Sequence, residues 1–292
     1  MQIDVQIVKS LTDRESGGNP AGVVIDADAL DVSQKLEVAR QVGLSETAFV
    51  SKSSIATIKL EFFTPTRQIA HCGHATIATF SLLRKLARVG NGTLSKETID
   101  GCRTILVDGD IILMEQQPPV YHPIKRESDL ASRISRSIGV EPAEIYRTAD
   151  PMVVNTGNSF LILALPDERS VAAVRPDQRA IEAISEELNL IGYYLFSTST
   201  RTAGRQAGTR MFAPRFGIDE ESATGTAAGP LACFLYEKMG VKNRAMTIEQ
   251  GQLMQPPSPS VIKVILDIEE GRISRLMAGG MATVERSVSV DV

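Results

Sequence analysis

Two stretches of this chain predict helices that are apolar on every face. Residues 74–83 and 225–236 contain no Asp, Glu, Lys or Arg. A helix without a polar face is surrounded by protein, because each of its faces has apolar surface to bury. A sheet curved around each helix would provide that enclosure twice. We therefore predict an α+β fold of two similar domains, each a curved mixed β-sheet or barrel around a central buried helix.

The two halves of the chain repeat the same order of elements. In each half, strands end at a Phe-x-Pro sequence and a loop leads to the apolar helix; these sequences are Phe63-Thr-Pro65 and Phe212-Ala-Pro214. A repeated order of this kind indicates a duplicated unit. Prolines at 118, 119 and 123 interrupt the pattern between the halves. We expect a first domain at residues 1–117, to which a strand at about 280–292 returns, and a second domain at residues 124–279.

Composition excludes several classes of protein. A net charge of −4 and an isoelectric point near 5.6 provide no basic surface for nucleic acid. No apolar segment approaches the roughly 18 residues needed to cross a bilayer. The N-terminal residues alternate like a strand, unlike a signal peptide, and three cysteines are too few for a disulfide framework. We expect a cytoplasmic protein that binds neither nucleic acid nor membrane.

The starts of the two apolar helices are candidate anion sites. Gly73 and Gly225 stand there, and glycine lets a ligand approach the backbone closely. The first N–H groups of a helix have no partner within it, and the aligned peptide dipoles favour negative charge. Glu46, in Ser45-Glu-Thr47, is the carboxylate that we expect both starts to face. This arrangement suggests a site that moves a proton on an anionic substrate.

Five motifs resemble the signatures of the phenazine-biosynthesis PhzF-like family, in the family's order. They are Gly18-Asn-Pro-Ala-Gly-Val-Val24, Ser45-Glu-Thr-Ala-Phe49, Phe63-Thr-Pro65, Cys72-Gly-His-Ala-Thr76 and Thr224-Gly-Thr-Ala227. The resemblance implies the diaminopimelate epimerase-like fold, with an active site in the cleft between two similar domains. It implies an isomerase without metal or organic cofactor, often a homodimer, that acts on a small carboxylated substrate. Glu46 matches the family's acid/base, which moves a proton between carbons of that substrate.

The same resemblance identifies further site residues. His74 matches the family histidine that lines the site beside the glutamate. Ser45, Gly73, Gly225 and Thr226 fall within the motifs and are the candidate substrate-binding residues. Hydroxyls and helix N-termini can hold a carboxylate and stabilise the negative charge that develops when a proton leaves carbon.

Three positions differ from the family pattern. Glu221 stands where the family has a site aspartate, and Thr226 stands where it has a serine. Glutamate in place of aspartate adds a methylene, and such a displacement of a catalytic carboxylate affects the rate. Pro256 stands where the family tends to have a basic residue. These differences leave the proposed proton transfer unchanged, but they affect which substrate we expect.

Each candidate also has a purely structural interpretation. Glu46 could point outward from a strand edge, and His74 could only satisfy hydrogen bonds at a helix start. Glu221 could complement the helix dipole, and Thr226 could be an ordinary hydroxyl of a first helical turn.

Other chemistries fit the sequence less well. As metal ligands, His71, Cys72 and His74 lack a fourth partner at a recognisable spacing. A Cys72–His74 nucleophile pair would need residues from separate elements, and these two lie too close in the chain. A two-thiol racemase needs a cysteine before both glycines, yet Thr224 occupies the second position, and a hydroxyl is a far poorer proton carrier than a thiol. A two-base racemase or epimerase and a non-catalytic small-anion binding protein are the alternatives.

Overall fold

The computed structural model describes all residues from Met1 to Val292. The chain forms two compact units, of which one contains residues 1–115 and 279–292 and the other residues 116–278.

The first unit contains two helices and most of the strands of the N-terminal half. Its elements are β1 (Gln2–Ser10), β2 (Asn19–Val24), α1 (Val32–Val42), β3 (Thr47–Ser51), β4 (Ile58–Phe63), β5 (Gln68–Ile69), α2 (Gly73–Lys85), β6 (Gly92–Thr98), β7 (Gly101–Asp108) and β8 (Ile111–Gln116), with β18 (Ala282–Asp291) from the chain end. β18 pairs antiparallel with β1 from Gln2↔Asp291 to Ser10↔Ala282.

The second unit contains four helices. Its elements are β9 (Val120–Pro123), α3 (Asp129–Ser137), β10 (Met152–Asn155), β11 (Ser159–Ala164), α4 (Glu168–Ala173), α5 (Gln178–Glu187), β12 (Gly192–Ser197), β13 (Ala207–Ala213), β14 (Ile218–Glu221), α6 (Gly225–Glu237), β15 (Ala245–Gln250), β16 (Ser260–Glu269) and β17 (Arg272–Gly280).

The strand pairings of the two units follow the same order. In the first unit, β1–β2 is antiparallel, β2–β3 parallel, β3–β4 and β4–β5 antiparallel, β4–β6 parallel and β6–β7 antiparallel. In the second unit, the pairs β10–β11, β11–β12, β12–β13, β13–β14, β13–β15 and β15–β16 repeat that series of directions. The duplicated unit that the sequence predicts is therefore present in the backbone.

Each unit buries one apolar helix against its own strands. α2 packs against β1, β2, β3 and β18, and α6 packs against β10, β11 and β16. Every residue of α2 from His74 to Phe80 is buried, as is every residue of α6 from Ala227 to Leu235. The predicted mixed α+β fold with two central helices is confirmed.

The sheet of the second unit is buried on both faces. Leu161 and Leu163 of β11 pack in one core with the apolar sides of α3, α4 and α5. The side chains that alternate with these along the strands point to the other face of the sheet, toward α6. One example is Phe196 of β12, whose ring meets that of Phe234 in α6 edge-on, with 6.0 Å between the ring centroids. Burial of both faces explains why these strands are nearly continuous runs of apolar residues.

The helices differ in how they begin. Side chains of Asp31, Ser128, Asp167 and Asp177 accept hydrogen bonds from the first turns of α1, α3, α4 and α5. The residues before the central helices, Cys72 and Thr224, make no side-chain capping hydrogen bond. The two helix starts that the sequence marks as anion sites are thus the ones without side-chain caps.

Candidate active site

The backbone that carries Glu46 is fixed by a close approach of β2 to β3. The N–H of Gly22 donates to the carbonyl of Glu46 at 3.0 Å, and Gly22 pairs with Thr47 in the parallel ladder. A Cβ at Gly22 would lie 2.8 Å from Oγ1 of Thr47 and 3.2 Å from Cγ1 of Val5. Only glycine fits there without moving the strand that begins beside Glu46.

Glu46 lies beside the first turn of α2. Its relative exposure is 9%, so the interpretation of Glu46 as an outward-pointing residue is wrong. Nε2 of His74 lies 3.3 Å from Oε2 of Glu46, within ion-pair distance, although this oxygen has no hydrogen bond of good geometry. A buried carboxylate oxygen with a poorly aligned neighbour is free to accept a proton from a ligand.

His74 also contacts Cys72 through its other ring nitrogen. Sγ of Cys72 lies 3.5 Å from Nδ1 of His74. The two side chains are in contact, although they come from the start of one helix and not from the separate elements that a nucleophile pair ordinarily uses. Burial raises the pKa of the Cys72 thiol, and the negative charge of Glu46 also acts to raise it. The thiol is thus protonated near neutral pH and supplies little thiolate to accept a proton.

The three side chains form a cluster that the sequence did not identify as a metal site. One ligand atom each from Glu46, Cys72 and His74 lie within 4.8 Å of one another. The ligand set weighed from the sequence was His71, Cys72 and His74. In the structure Glu46 takes the place of His71, whose Nδ1 lies 3.2 Å from Nζ of Lys96. As placed, the imidazole of His74 turns opposite nitrogens toward the thiol and the carboxylate. A single ion binds only one nitrogen of a ring, so an ion on either nitrogen of His74 would have one of the two groups on the opposite side of the ring.

The second unit has its own set of candidate residues at the start of α6. Glu221 ends β14, and Thr226 lies in the first turn of α6; both are half-buried. Oε1 of Glu221 accepts a hydrogen bond from the N–H of Ser222 at 3.3 Å. Gly225 begins the helix, and its carbonyl accepts a hydrogen bond from Nε2 of Gln116 at 2.9 Å.

Gln250 fixes the segment between β14 and α6. Its Nε2 donates to the carbonyl of Glu221 at 2.7 Å and to Oγ1 of Thr224 at 3.1 Å. Its Oε1 accepts from the N–H of Thr224 at 3.1 Å and from the hydroxyl of Tyr194 at 2.9 Å. A buried amide with all these partners holds its neighbours in one arrangement.

The remaining candidates differ in exposure. Ser45 is exposed, while Gly73 and Gly225 are half-exposed at their helix starts. The structure brings Glu46 and His74 together, and it places Ser45 next to Glu46 in the chain before β3. Sequence reasoning missed Lys96, Gln116 and Gln250. All three lie in strands, and their partners lie far away in the chain, so no local pattern marks them.

None of the helices combines the length with the apolar composition that a membrane-spanning helix requires.

Comparison with known proteins gives a consistent result. The model of the phenazine biosynthesis-like protein family, PhzC-PhzF, matches residues 8–287. The uncharacterized isomerase YddE of Escherichia coli K12 is 28% identical over 290 residues, which cover 97% of each chain. The trans-2,3-dihydro-3-hydroxyanthranilate isomerase of Pseudomonas fluorescens is 29% identical over 281 residues, which cover 94% of this chain and 89% of the relative.

Solved structures with the same fold extend beyond this family. A PhzF family protein of Bacillus anthracis superposes with a TM-score of 0.89 at 24% identity and covers 100% of both chains. A hydroxyproline epimerase of Agrobacterium vitis, with bound trans-4-hydroxy-L-proline, superposes with a TM-score of 0.60 at 14% identity, over 99% of this chain and 92% of that one. At such identities these structures show the fold alone, which is the expected diaminopimelate epimerase-like fold. The chain therefore belongs to the phenazine biosynthesis-like PhzC-PhzF family and is an isomerase of that family.

Proposed function

We propose that this isomerase moves a proton between two carbons of a small carboxylated substrate, with Glu46 as the general acid/base. The observation that carries the proposal is the buried Oε2 of Glu46, 3.3 Å from Nε2 of His74 at the start of an uncapped helix. Catalytic groups of this kind need a carboxylate within reach of the substrate and largely withdrawn from water.

The reaction can be written with one base. Glu46 takes a proton from an activated carbon, and the electron pair of the C–H bond moves into the adjacent unsaturated system. His74 donates a hydrogen bond to the negative charge that develops, and the first turn of α2 stabilises the substrate's carboxylate. The carboxylic acid of Glu46 then returns the proton to a different carbon, so the double bonds shift without net gain or loss of atoms.

Several properties favour Glu46 over Cys72 as the base. Burial raises the pKa of the Cys72 thiol, so this thiol does not supply a thiolate near neutral pH. A second thiol is absent, because Thr224 stands at the corresponding start of α6 and its Oγ1 accepts a hydrogen bond from Gln250. These observations disfavour the two-base racemase.

The family and the site together support a proposal for the substrate class. The Pseudomonas fluorescens relative is named for trans-2,3-dihydro-3-hydroxyanthranilate, a cyclic carboxylate. We propose a cyclic or amino-acid-derived carboxylate for this chain, with Glu221 and Thr226 in the roles of the family's aspartate and serine. Pro256, in place of the family's basic residue, supports a substrate that differs from the relative's. A cytoplasmic homodimer is part of the proposal, and light scattering on the purified protein tests whether it is a dimer.

The test follows deuterium from solvent into carbon. The protein is incubated in heavy water with trans-2,3-dihydro-3-hydroxyanthranilate and, separately, with trans-4-hydroxy-L-proline, and products are followed by NMR. We expect shifted double bonds in the first compound, with deuterium at the carbon that gains the proton. Because a buried carboxyl can return the same proton before it exchanges, product formation and deuterium content are measured together.

Each alternative gives a different result. Inversion of the α-carbon of hydroxyproline with deuterium incorporation would support a two-base racemase. Binding of the carboxylates without any product or exchange, over a wider panel of cyclic and amino-acid carboxylates, would leave only an anion-binding protein and contradict the proposed reaction.

A further inference from the structure

A fully buried lysine lies behind the first turn of α2. Lys96 of β6 has 0% exposure. Its Nζ donates to Oγ1 of Thr76 at 2.7 Å, lies 3.2 Å from Nδ1 of His71 and lies 5.0 Å from the centre of the Phe62 ring. Its contacts are a hydroxyl, an imidazole and an aromatic face, and none of them is a carboxylate.

These contacts connect Lys96 to the segment that carries the site. Oγ1 of Thr76 donates to the carbonyl of Cys72 at 2.6 Å, so Lys96 and Thr76 form a chain of hydrogen bonds that ends at the residue before the helix. His71 precedes Cys72 directly. Burial lowers the pKa of His71 well below its ordinary value, and the positive charges of Lys96 and Arg103 add to this effect. The ring is therefore neutral near pH 7 and can accept a hydrogen bond from the ammonium group.

We propose that Lys96 is a positioning residue of the isomerisation: through Thr76 and His71 it holds the His71–His74 segment in the conformation in which His74 meets Glu46. Its effect on catalysis rests on the function proposed above, whereas its effect on the segment does not.

A purely structural role explains Lys96 poorly. An apolar residue of similar length would fill the same volume without the penalty of burying an amine. Lys35, the other buried lysine of this unit, is instead paired with the carboxylate of Glu61 at 2.5 Å. The polar contacts of Lys96 are all with residues of the α2 start, which is the arrangement expected of a group that orients that start.

The protonation of Lys96 links this arrangement to pH. Burial lowers the pKa of its ammonium group to about 7. The other charged or titratable groups that act on it are Cys72 and His71 from the helix start, Arg103 from β7 and Asp100 from the turn between β6 and β7. As the ammonium group loses its proton, it loses the charge that strengthens its hydrogen bonds to Thr76 and His71. Both bonds to the segment become weaker, so the position of His74 should change with pH.

The test reads the position of His74 directly. The chain has three histidines, so the imidazole ¹⁵N signals can be assigned and followed by NMR between about pH 6 and pH 8.5, a range centred on the pKa of Lys96. The variants are Lys96→Met, Thr76→Val, which removes the hydroxyl, and Thr76→Ser, which keeps it. Lys35→Met is the matched control, because it removes a buried lysine that has no contact with the α2 start.

We expect Lys96→Met and Thr76→Val to shift the His71 and His74 signals, to flatten their change across this pH range and to lower kcat by about tenfold, a typical loss when a catalytic group is displaced. Thr76→Ser should restore the signals and the rate. Lys35→Met should lower stability but leave the signals and the pH profile of kcat as in the unmodified protein.

Unchanged His74 signals in both Lys96→Met and Thr76→Val would overturn the proposal. Thr76→Val alone decides the matter if Lys96→Met does not fold. The NMR measurement needs no substrate, so it remains decisive even if the unmodified protein isomerises nothing and the proposed reaction fails.

Discussion

Replacement of Lys96 by methionine should change how the stability of the protein depends on pH. In the folded protein, burial lowers the pKa of Lys96 from its ordinary value of 10.5 to about 7. Above pH 7 the folded protein therefore releases this proton, while the unfolded chain keeps it. Since the unfolded state binds more protons in this range, the free energy of unfolding should rise with pH. Below pH 7 the lysine is charged in both states and contributes no slope.

The magnitude follows from the pKa difference. One pKa unit corresponds to about 1.4 kcal/mol, so the rise between about pH 7 and pH 8.5 should be about 2 kcal/mol. At higher pH, the buried Cys72 and Cys233, whose pKa values are raised by burial, begin to ionise in the unfolded chain and reduce stability. The comparison is therefore confined to this range and made as a difference between variants, in which the contribution of the cysteines cancels.

The assay is urea denaturation followed by circular dichroism at several pH values. We expect the unmodified protein to gain about 2 kcal/mol relative to Lys96→Met from pH 7 to pH 8.5. Lys35→Met retains Lys96 and should show the same slope as the unmodified protein. Parallel curves for the unmodified protein and Lys96→Met would refute the reasoning, because they would mean that Lys96 binds its proton equally well in both states.

Two further substitutions test the support of the α6 start. Gln250→Leu leaves the hydroxyl of Tyr194 and the backbone groups near Thr224 without their partner, so the free energy of unfolding should fall by about 2–4 kcal/mol in urea denaturation; a loss below about 0.5 kcal/mol would contradict this role. A Cβ at Gly229 would lie 2.2 Å from Oε1 of Gln116, so Gly229→Ala should lower stability by about 1–3 kcal/mol. Gly90→Ala, whose Cβ would meet nothing within 4 Å, is the control and should change stability by less than about 0.5 kcal/mol.

The sequence predicts the fold well where apolar pattern alone decides the structure. Charge-free runs at residues 74–83 and 225–236 require enclosure, and α2 and α6 are the buried helices that result. The order of strands around the two Phe-x-Pro sequences also returns in the pairings of both units. These features are local or repeated in the chain, so they can be recognised before any tertiary contact is known.

Part of the candidate site could also be predicted. Glu46 and His74 are separated by 28 positions in the chain, and only the resemblance of their motifs to the family joined them before the structure did. The bridging role of the His74 ring, by contrast, depends on side-chain directions at a helix start, which sequence spacing does not give. The sequence therefore did not predict the contact between Cys72 and His74.

The supporting residues could not be predicted. Lys96 lies in a strand of mixed polar residues, where a lysine is ordinarily exposed to solvent. Its partners His71 and Thr76 lie 25 and 20 positions away in the chain, so its burial is a tertiary effect. The role of Gln250 could not be predicted for the same reason, since its partners Tyr194 and Thr224 are 56 and 26 positions away in the chain.

The most direct test of the proposed reaction compares Glu46→Gln with Cys72→Ala. Both variants remove a candidate proton carrier from the same cluster, and proton transfer is measured for each in heavy water as the rate of product formation together with the deuterium content of the product. Glu46→Gln keeps the size of the side chain but cannot accept a proton, so it should bind carboxylate and lose transfer by about 10³-fold or more. Cys72→Ala should reduce transfer by less than about tenfold. Transfer that persists in Glu46→Gln and disappears in Cys72→Ala would contradict the assignment of Glu46 as the base.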